Sequence, residues 1–374
     1  MRFDEAARGR VCKQAHADFR RGLNSDFGRF VEDGYPDVGD ARRGPAAALD
    51  RRRRRTRWCR SSSRAGAWCS SSSTACGSTS GSRSSRCSRS CSTSSASYYC
   101  SILPTATPYS RNAIFSGLLP VELARSATPT CGRRARNDER TKNRYERQLL
   151  DLPARASRAR CPSKPPKYLK IYDADEAHQT RRQIGSFAGL PLVSMVFNFL
   201  DILAHGRSES EILQELAPDE AAFRAVMKAW FTHSPLYDIF RALSTQDCTV
   251  VLTTDHGAVL GRRARRSCYG NRETSTNLRY KYGAQPQHRR QAGGDRAQAD
   301  GLHAARTTGV NKNYVLARED YYFVYPTRFH EFERQYRGSF QHGGISVEEM
   351  ILPLVVLTRE MTPTLERSAR DGSS

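Results

Sequence analysis

The pattern of hydrophobic and polar positions divides this chain into well-patterned blocks and stretches without a period. Leu192–Phe199 and Thr249–Thr254 are near-continuous apolar runs, the signature of strands buried on both faces. Tyr321–Val324 and Ile351–Leu357 predict two more strands. Helices are predicted over about 208–216, 219–231 and 236–244, the second opening on Pro218–Asp219–Glu220. Lys167–Tyr172 reads as extended and 175–184 as helical. Strands alternating with helices predict an α/β sheet with helices on both faces.

The first half is less regular. Residues 9–33 read as a helix stopped by Gly34–Tyr35–Pro36. Further on come a short strand near 98–103, a turn from Pro104 to Pro108, and a helix from Ser110 toward Gly117. Periodicity dissolves between Val38 and residue 97, and again over 124–165, 258–268 and 284–307. The last two stretches read as surface loops or as further shifts of reading frame.

Charge sharpens this division. The 374 residues carry a formal net charge of +22. Residues 1–165 hold 33 basic and 14 acidic side chains, a net +19, whereas 166–374 hold 27 and 24, a net +3. The basic character therefore belongs to the first half, and the second resembles an ordinary enzyme domain. No apolar run approaches the roughly 18–20 residues that span a bilayer. The start has no apolar segment of the secretory type, so the expectation is a cytoplasmic protein with no membrane partner.

Residues 51–100 are the anomaly. Of these fifty, 11 are Arg, 18 Ser and 6 Cys, with no Leu, Ile, Val, Met, Phe, Asp or Glu. Such a segment cannot bury enough apolar surface to offset the entropy of ordering it. One reading is a disordered basic arm that binds nucleic acid through phosphates. Another is a cysteine framework between Cys59 and Cys100, but nothing directs the chain to an oxidising compartment and no C-x-x-C spacing occurs. The third is an out-of-frame translation of a GC-rich gene, which the flanking sequence favours.

The chemistry-bearing residues follow the strands. Leu192–Phe199 runs into Asp201 and His205, and Thr249–Thr254 into Asp255 and His256. Ligands of open α/β sheets bind at the carboxyl ends of strands. Asp and His together suit zinc. His342 stands in Gln341–His342–Gly343–Gly344, ahead of a capping box at Ser346–Glu349. Taken singly, each also reads as a helix cap, a surface His or a turn. A Thr in the turn before the helix at 110 reads as an N-cap, or as a hydroxyl nucleophile at the positive end of a helix dipole. Such a hydroxyl beside paired metals could attack phosphorus.

Together these residues resemble the PglZ domain of the alkaline phosphatase superfamily, as found in PorX-type response regulators. The resemblance rests on LPTATPYSRNAIFSGLLP at 103–120, NFLDILAHGRSE at 198–209 and VLTTDHG at 251–257. It continues through NRETSTNLRYKYG at 271–283, NKNYVLA at 311–317 and FQHGGISVEEMILPLVVL at 340–357. It implies an alkaline-phosphatase-like core sheet and two zinc ions. Thr107 would be the nucleophile, and would bind the first zinc with Asp255 and His256. The Pro-Thr-x-Thr turn also looks like the nucleotide pyrophosphatase branch, which favours Thr107 over Thr105. Asp201, His205 and His342 would hold the second zinc. Asn277, Arg279 and Lys281 would face the phosphate or a neighbouring loop, or form a solvated turn.

One departure matters. The family's first zinc also takes an Asp from the end of the first core strand, yet no Asp occurs between Asp50 and Asp138. A core strand is thus expected to be missing or scrambled, leaving the first zinc one ligand short, so fewer than two zinc ions are an open outcome. The expected organisation is a helical lead-in over 1–36, an out-of-frame disordered segment over 37–97, a PglZ-type domain over 98–360 and a disordered tail over 361–374. The expected function is zinc-dependent hydrolysis of phosphate esters, nucleotide-type diesters above all, in a signalling regulator with partner proteins, impaired in this chain. The alternative is a non-catalytic domain using the same fold for interaction. Nucleic acid is a partner only if the basic arm is genuine.

Overall fold

The computed structural model describes residues 5–38, 66–71, 93–125, 144–156, 164–207, 210–266, 276–283, 294–298, 313–325 and 327–358. Helix α1 (Glu5–Val38) runs through the stop expected at Gly34–Tyr35–Pro36. Val31 and Tyr35 are buried, and the Leu103 N–H donates to the Tyr35 hydroxyl at 2.8 Å. Pro36 falls in the last turn, where it removes one hydrogen bond, and the packing of this face outweighs that loss.

Strands β1 (Gly66–Ser71) and β2 (Thr93–Cys100) precede helices α2 (Thr107–Ser116), α3 (Pro120–Arg125) and α4 (Glu146–Ala156). α2 starts at Thr107 rather than Ser110, because Pro108 sits in its first turn, where a fixed φ and a missing N–H are tolerated. It stops at Gly117, left-handed at φ 65°. α4 corrects the aperiodic reading of 124–165, since Leu149 and Leu150 are buried; residues 126–143 and 157–163 lie outside the described ones.

Next come β3 (Lys167–Ile171), α5 (Ala174–Gln183), β4 (Leu192–Phe197), α6 (Phe199–Gly206), α7 (Glu211–Leu216), α8 (Glu220–His233), α9 (Pro235–Ser244) and β5 (Thr249–Thr253), in the expected order except that α6 was not predicted and takes Phe199 from the expected strand. Asp173, Ser210 and Asp219 cap α5, α7 and α8, each accepting from the backbone N–H three residues on.

The last part holds β6 (Val259–Leu260), β7 (Arg263–Arg266), β8 (Tyr280–Gly283), β9 (Gly294–Gln298), β10 (Asn313–Ala317), β11 (Tyr321–Val324), α10 (Phe329–Tyr336), β12 (Phe340–Gln341), α11 (Val347–Met350) and β13 (Ile351–Thr358). The 258–268 stretch is therefore ordered through residue 266: β6 pairs with β12, and β7 with β11. Backbone pairing also places β9, within 284–307, against β10.

The main sheet has the order β2-β13-β5-β1-β4-β3. The β3–β4, β4–β1 and β1–β5 pairs are parallel, and β13 runs antiparallel between β5 and β2. β4 is buried throughout and feeds two cores. Val193, Met195 and Phe197 pack with Leu236, Ile239 and Leu243 of α9. Leu192 and Val196 pack with Phe115 of α2 and with Leu149 and Leu150 of α4. Helices thus cover both faces, and each such side chain contributes roughly 1.5–3 kcal/mol of burial.

The strand expected to be missing or scrambled has its place filled. β1 lies between β4 and β5, with Gly66 opposite Leu192 and Ser71 opposite Phe197. Its sequence, Gly-Ala-Trp-Cys-Ser-Ser, has no branched aliphatic residue, where its neighbours Leu-Val-Ser-Met-Val-Phe and Thr-Val-Val-Leu-Thr are rich in them. Most of 37–97 and all of 361–374 fall outside the described residues, as do the disorder expected there and the basic arm. Cys12, Cys100 and Cys248 are free thiols. Among the described residues, no helix is long and apolar enough to cross a membrane.

Candidate metal centre

The sheet brings distant segments to one edge. The carboxyl ends of β2, β4 and β5 and the start of β13 share it. Leaving β2, the chain turns through Ser101–Ala106 into Thr107 at the head of α2. Leaving β4, it enters α6, with Asp201 in the first turn and His205 one turn on. Leaving β5, it reaches Asp255 and His256. His342 follows β12.

Side chains tie these segments together. Ser101 Oγ donates to the Asp255 carbonyl at 2.7 Å. Thr105 Oγ1 donates to the Gly344 carbonyl at 2.9 Å and accepts from the Gly343 N–H at 3.0 Å. Thr105 is therefore a staple between two loops, which leaves Thr107 as the hydroxyl facing the ligands. Gly343 has φ +120°, and a Cβ there would sit 2.6 Å from the Tyr280 ring. At Gly257 a Cβ would lie 1.9 Å from the Glu348 carbonyl oxygen, so that α11 abuts the Asp255–His256 loop directly.

Asp201, His256 and His342 each offer a ligand atom, all within 4.8 Å of one another. The His256 and His342 rings stack at 3.8 Å between centroids. Thr107 Oγ1 lies 3.0 Å from His256 Nε2, and Asp255 Oδ2 lies 3.6 Å from the same nitrogen. His205 Nε2 is 3.4 Å from Asp201 Oδ1, with its side chain half exposed. The structure thus joins one ligand of the expected first zinc, His256, to two of the second, Asp201 and His342.

The donor chemistry fits a cation. His342 Nδ1 faces the Thr105 carbonyl at 3.2 Å, and His256 Nδ1 faces the Gly257 carbonyl at 3.1 Å. An N–H directed at each carbonyl leaves Nε2 with the lone pair, the arrangement that orients metal-binding imidazoles. Burial holds the His342 imidazole well below its usual range and so neutral. Burial pushes the Asp201 carboxyl up, but the opposing influences, the hydrogen bond from His205 foremost, outweigh it and hold the group ionised. Asp255 is 1 % exposed, and neither of its carboxylate oxygens has a hydrogen-bond partner among the described residues. A buried carboxylate in that state calls for positive charge nearby.

The sequence reading left Arg111 without a role and missed Glu146. Arg111 follows Thr107 by one helical turn, is buried, and pairs with Glu146 at 2.7 Å. Its Nη1 donates to Asn198 Oδ1 at 3.2 Å. Burial pushes the guanidinium down, but Asp255 and then Glu146 outweigh that and keep it charged. The four-residue step from Thr107 was the available signal, whereas Glu146 lay in a stretch without a readable period.

The three residues expected at the phosphate or a loop belong to the loop. Arg279 is wholly buried, pairs with Glu349 at 2.6 Å, and donates to the Glu319 and Tyr321 carbonyls. Asn277 Oδ1 accepts from the Arg279 N–H at 2.7 Å. Lys281 is buried with Nζ over the Tyr325 ring. None belongs to the ligand cluster, and none forms a solvated turn.

No curated protein matches the chain. Among solved structures, it is similar to phosphonoacetate hydrolase from Sinorhizobium meliloti 1021 in complex with phosphonoformate, at 12% identity over 81% of this chain and 91% of that one, TM-score 0.45. It is also similar to murine ectonucleotide pyrophosphatase/phosphodiesterase 5, at 11% identity over 48% and 51%, TM-score 0.34. The human protein gives 12% over 49% and 51%, TM-score 0.35. The matched part spans about half the length of these two phosphodiesterase structures. The family described as the BREX system PglZ alkaline phosphatase-like domain matches residues 87–357. With well over half of its length matched, the chain belongs to the PglZ family of alkaline phosphatase-like domains.

Proposed function

We propose that this chain is a metal-dependent phosphohydrolase acting on phosphate esters, nucleotide-type diesters above all, with Thr107 as nucleophile. The observation that carries the reading is the convergence of Thr107, Asp201, Asp255, His256 and His342 at one sheet edge. Asp201, His256 and His342 are the residues that would hold the metal, with Asp255 beside them and His205 leaning on Asp201. Zinc suits this nitrogen and oxygen set, and when bound it supplies Lewis-acid charge to a phosphoryl oxygen.

The chain's own residues then have distinct tasks. Thr107 Oγ1 gives up its proton to solvent and attacks phosphorus, the P–O bond to the leaving alcohol breaks, and the alcohol takes up a proton from solvent. The positive end of the α2 dipole, where Thr107 stands, favours the negative charge that builds up on the phosphoryl oxygens. Water splits the phosphothreonine, which returns the hydroxyl and releases the phosphate product. Thr105 and Ser101 keep the Thr107 turn registered against the His342 and Asp255 loops.

Hydrolysis of bis(p-nitrophenyl) phosphate by the zinc-loaded full chain tests this reading. Activity in the wild type that vanishes in Thr107→Ala is expected; full activity in the variant ends the nucleophile assignment. The rival reading, a non-catalytic interaction domain, draws on the absence of any acid in β1. An inactive wild type favours it. We also propose the domain division at 36, 97 and 360, a cytoplasmic signalling context with protein partners, and a frame slip over 37–97. Resequencing the DNA for residues 30–170 tests the slip: a corrected frame restores an apolar strand ending in Asp, and an unchanged frame refutes it.

A further inference from the structure

We propose that the amino edge of the main sheet carries a second binding site, which takes a small aromatic amine in the cavity between the turns at 184–190 and 243–248. The inference goes beyond the phosphohydrolase reading and does not depend on it.

The cavity measures about 190 Å³. Val193 and Met195 of β4 line it, with Ile184 and Phe187 from the 3₁₀ turn ahead of that strand and Leu243 from the end of α9. All five are buried and belong to one hydrophobic cluster, so the cavity opens into the core under α9. Ala188 and Gly189 are exposed at its mouth, where Gly189 turns the chain back toward β4 with φ 79°. Apolar cavities of about 150 Å³ stay dry and admit a benzene ring. The volume here fits one ring with a short substituent.

Polar chemistry enters at the rim. Gln246, Asp247 and Cys248 complete the lining, and Asp247, which is exposed, is the one charged residue among the described lining residues. Lys167, whose ammonium lies over the Phe187 ring at 4.1 Å, is not part of that lining. The rim turn is fixed by its backbone: the Gln246 N–H donates to the Leu243 carbonyl at 3.0 Å, and the Cys248 N–H to the Gln246 carbonyl at 2.9 Å. A held carboxylate beside an apolar slot suits an aromatic body with an ammonium group, since a few placed polar groups set the orientation of a ligand in an apolar pocket. The preference is opposite in sign to that of a centre for phosphate esters. The two sites are also apart, because the lining leads into β4 and β5 at their amino ends, whereas Asp201, Asp255 and His256 follow their carboxyl ends.

Calorimetric titration of the full-length chain with benzylamine, benzyl alcohol and benzoate tests the inference. Saturable binding of one benzylamine per chain is expected, with benzyl alcohol weaker and benzoate weakest. Asp247→Lys, at an exposed position, should weaken benzylamine about three- to tenfold, since a rim pair is lost and a like-charge pair takes its place. Cys248→Phe, which adds a ring to the lining, should abolish binding. No benzylamine binding at millimolar concentration overturns the proposal, as does binding unchanged in Asp247→Lys. Benzoate binding more tightly than benzylamine overturns the amine assignment. Because the Cys248 variant can fail to fold, iodoacetamide labelling of the wild type gives an independent reading by peptide mass spectrometry. Saturating benzylamine should slow labelling of Cys248 and leave that of exposed Cys12 unchanged, whereas equal slowing at both contradicts the site.

Discussion

Two regions on the same sheet edge differ in what their sequence brings to it. At the corner formed by 101–107, 255–257 and 342–350, side chains fix every segment: Thr105 to Gly343 and Gly344, Ser101 to Asp255, Arg279 to Glu349. At β1, a few ångströms along the sheet, the pairing is backbone register between β4 and β5. The hydrogen bonds of a parallel ladder belong to the main chain, so Gly-Ala-Trp-Cys-Ser-Ser can occupy the place of a branched apolar run, at a cost in strand propensity and packing. Position in the sheet therefore does not guarantee a ligand. The corner is defined by its side-chain ties, and β1 by its main-chain register.

Substitutions can break or sharpen that contrast. The largest effect is expected for Thr107→Ala, at least on the order of 10³-fold in turnover, because removing a nucleophile forfeits the covalent route; Thr105→Ala should instead lower the melting temperature while retaining measurable turnover. Glu349→Ala comes next. It leaves Arg279 charged and fully buried, and about 3–5 kcal/mol of stability should disappear in denaturant titration. Ser71→Asp should have a smaller effect, raising the zinc bound per chain over that of the wild type by metal analysis, since it adds a carboxylate at a strand end between β4 and β5. The smallest loss is expected for Arg20→Ala. Arg20 joins α1 to Glu220 and Glu348 in partly exposed pairs, and roughly 0.2–1 kcal/mol should be lost on thermal melting.

Much of the fold was legible because apolar runs mark buried strands. β4, β5 and β13 fall where the pattern puts them, and Asp219 caps the helix it was expected to open. β1 was not legible, since its backbone is specified by two distant neighbours rather than by its own residues. α4 escaped because Arg147, Asp151 and Arg155 interrupt its apolar positions, among which Leu149 and Leu150 reach the core. Within the site, ligands next to strands could be read locally. Arg111–Glu146 could not, because the pair joins two helices across a stretch with no period. Arg279 was read toward the phosphate or a loop, and its actual partner, Glu349, lies seventy residues away behind the His342 turn.

The central claim is that Thr107 forms a bond to phosphorus. Peptide mass spectrometry of the zinc-loaded wild type, quenched during hydrolysis of a phosphodiester, tests it directly. The account predicts phosphate on Thr107, within the 103–120 segment, and none in Thr107→Ala. Sustained turnover with no phosphate on that segment at any quench time contradicts it.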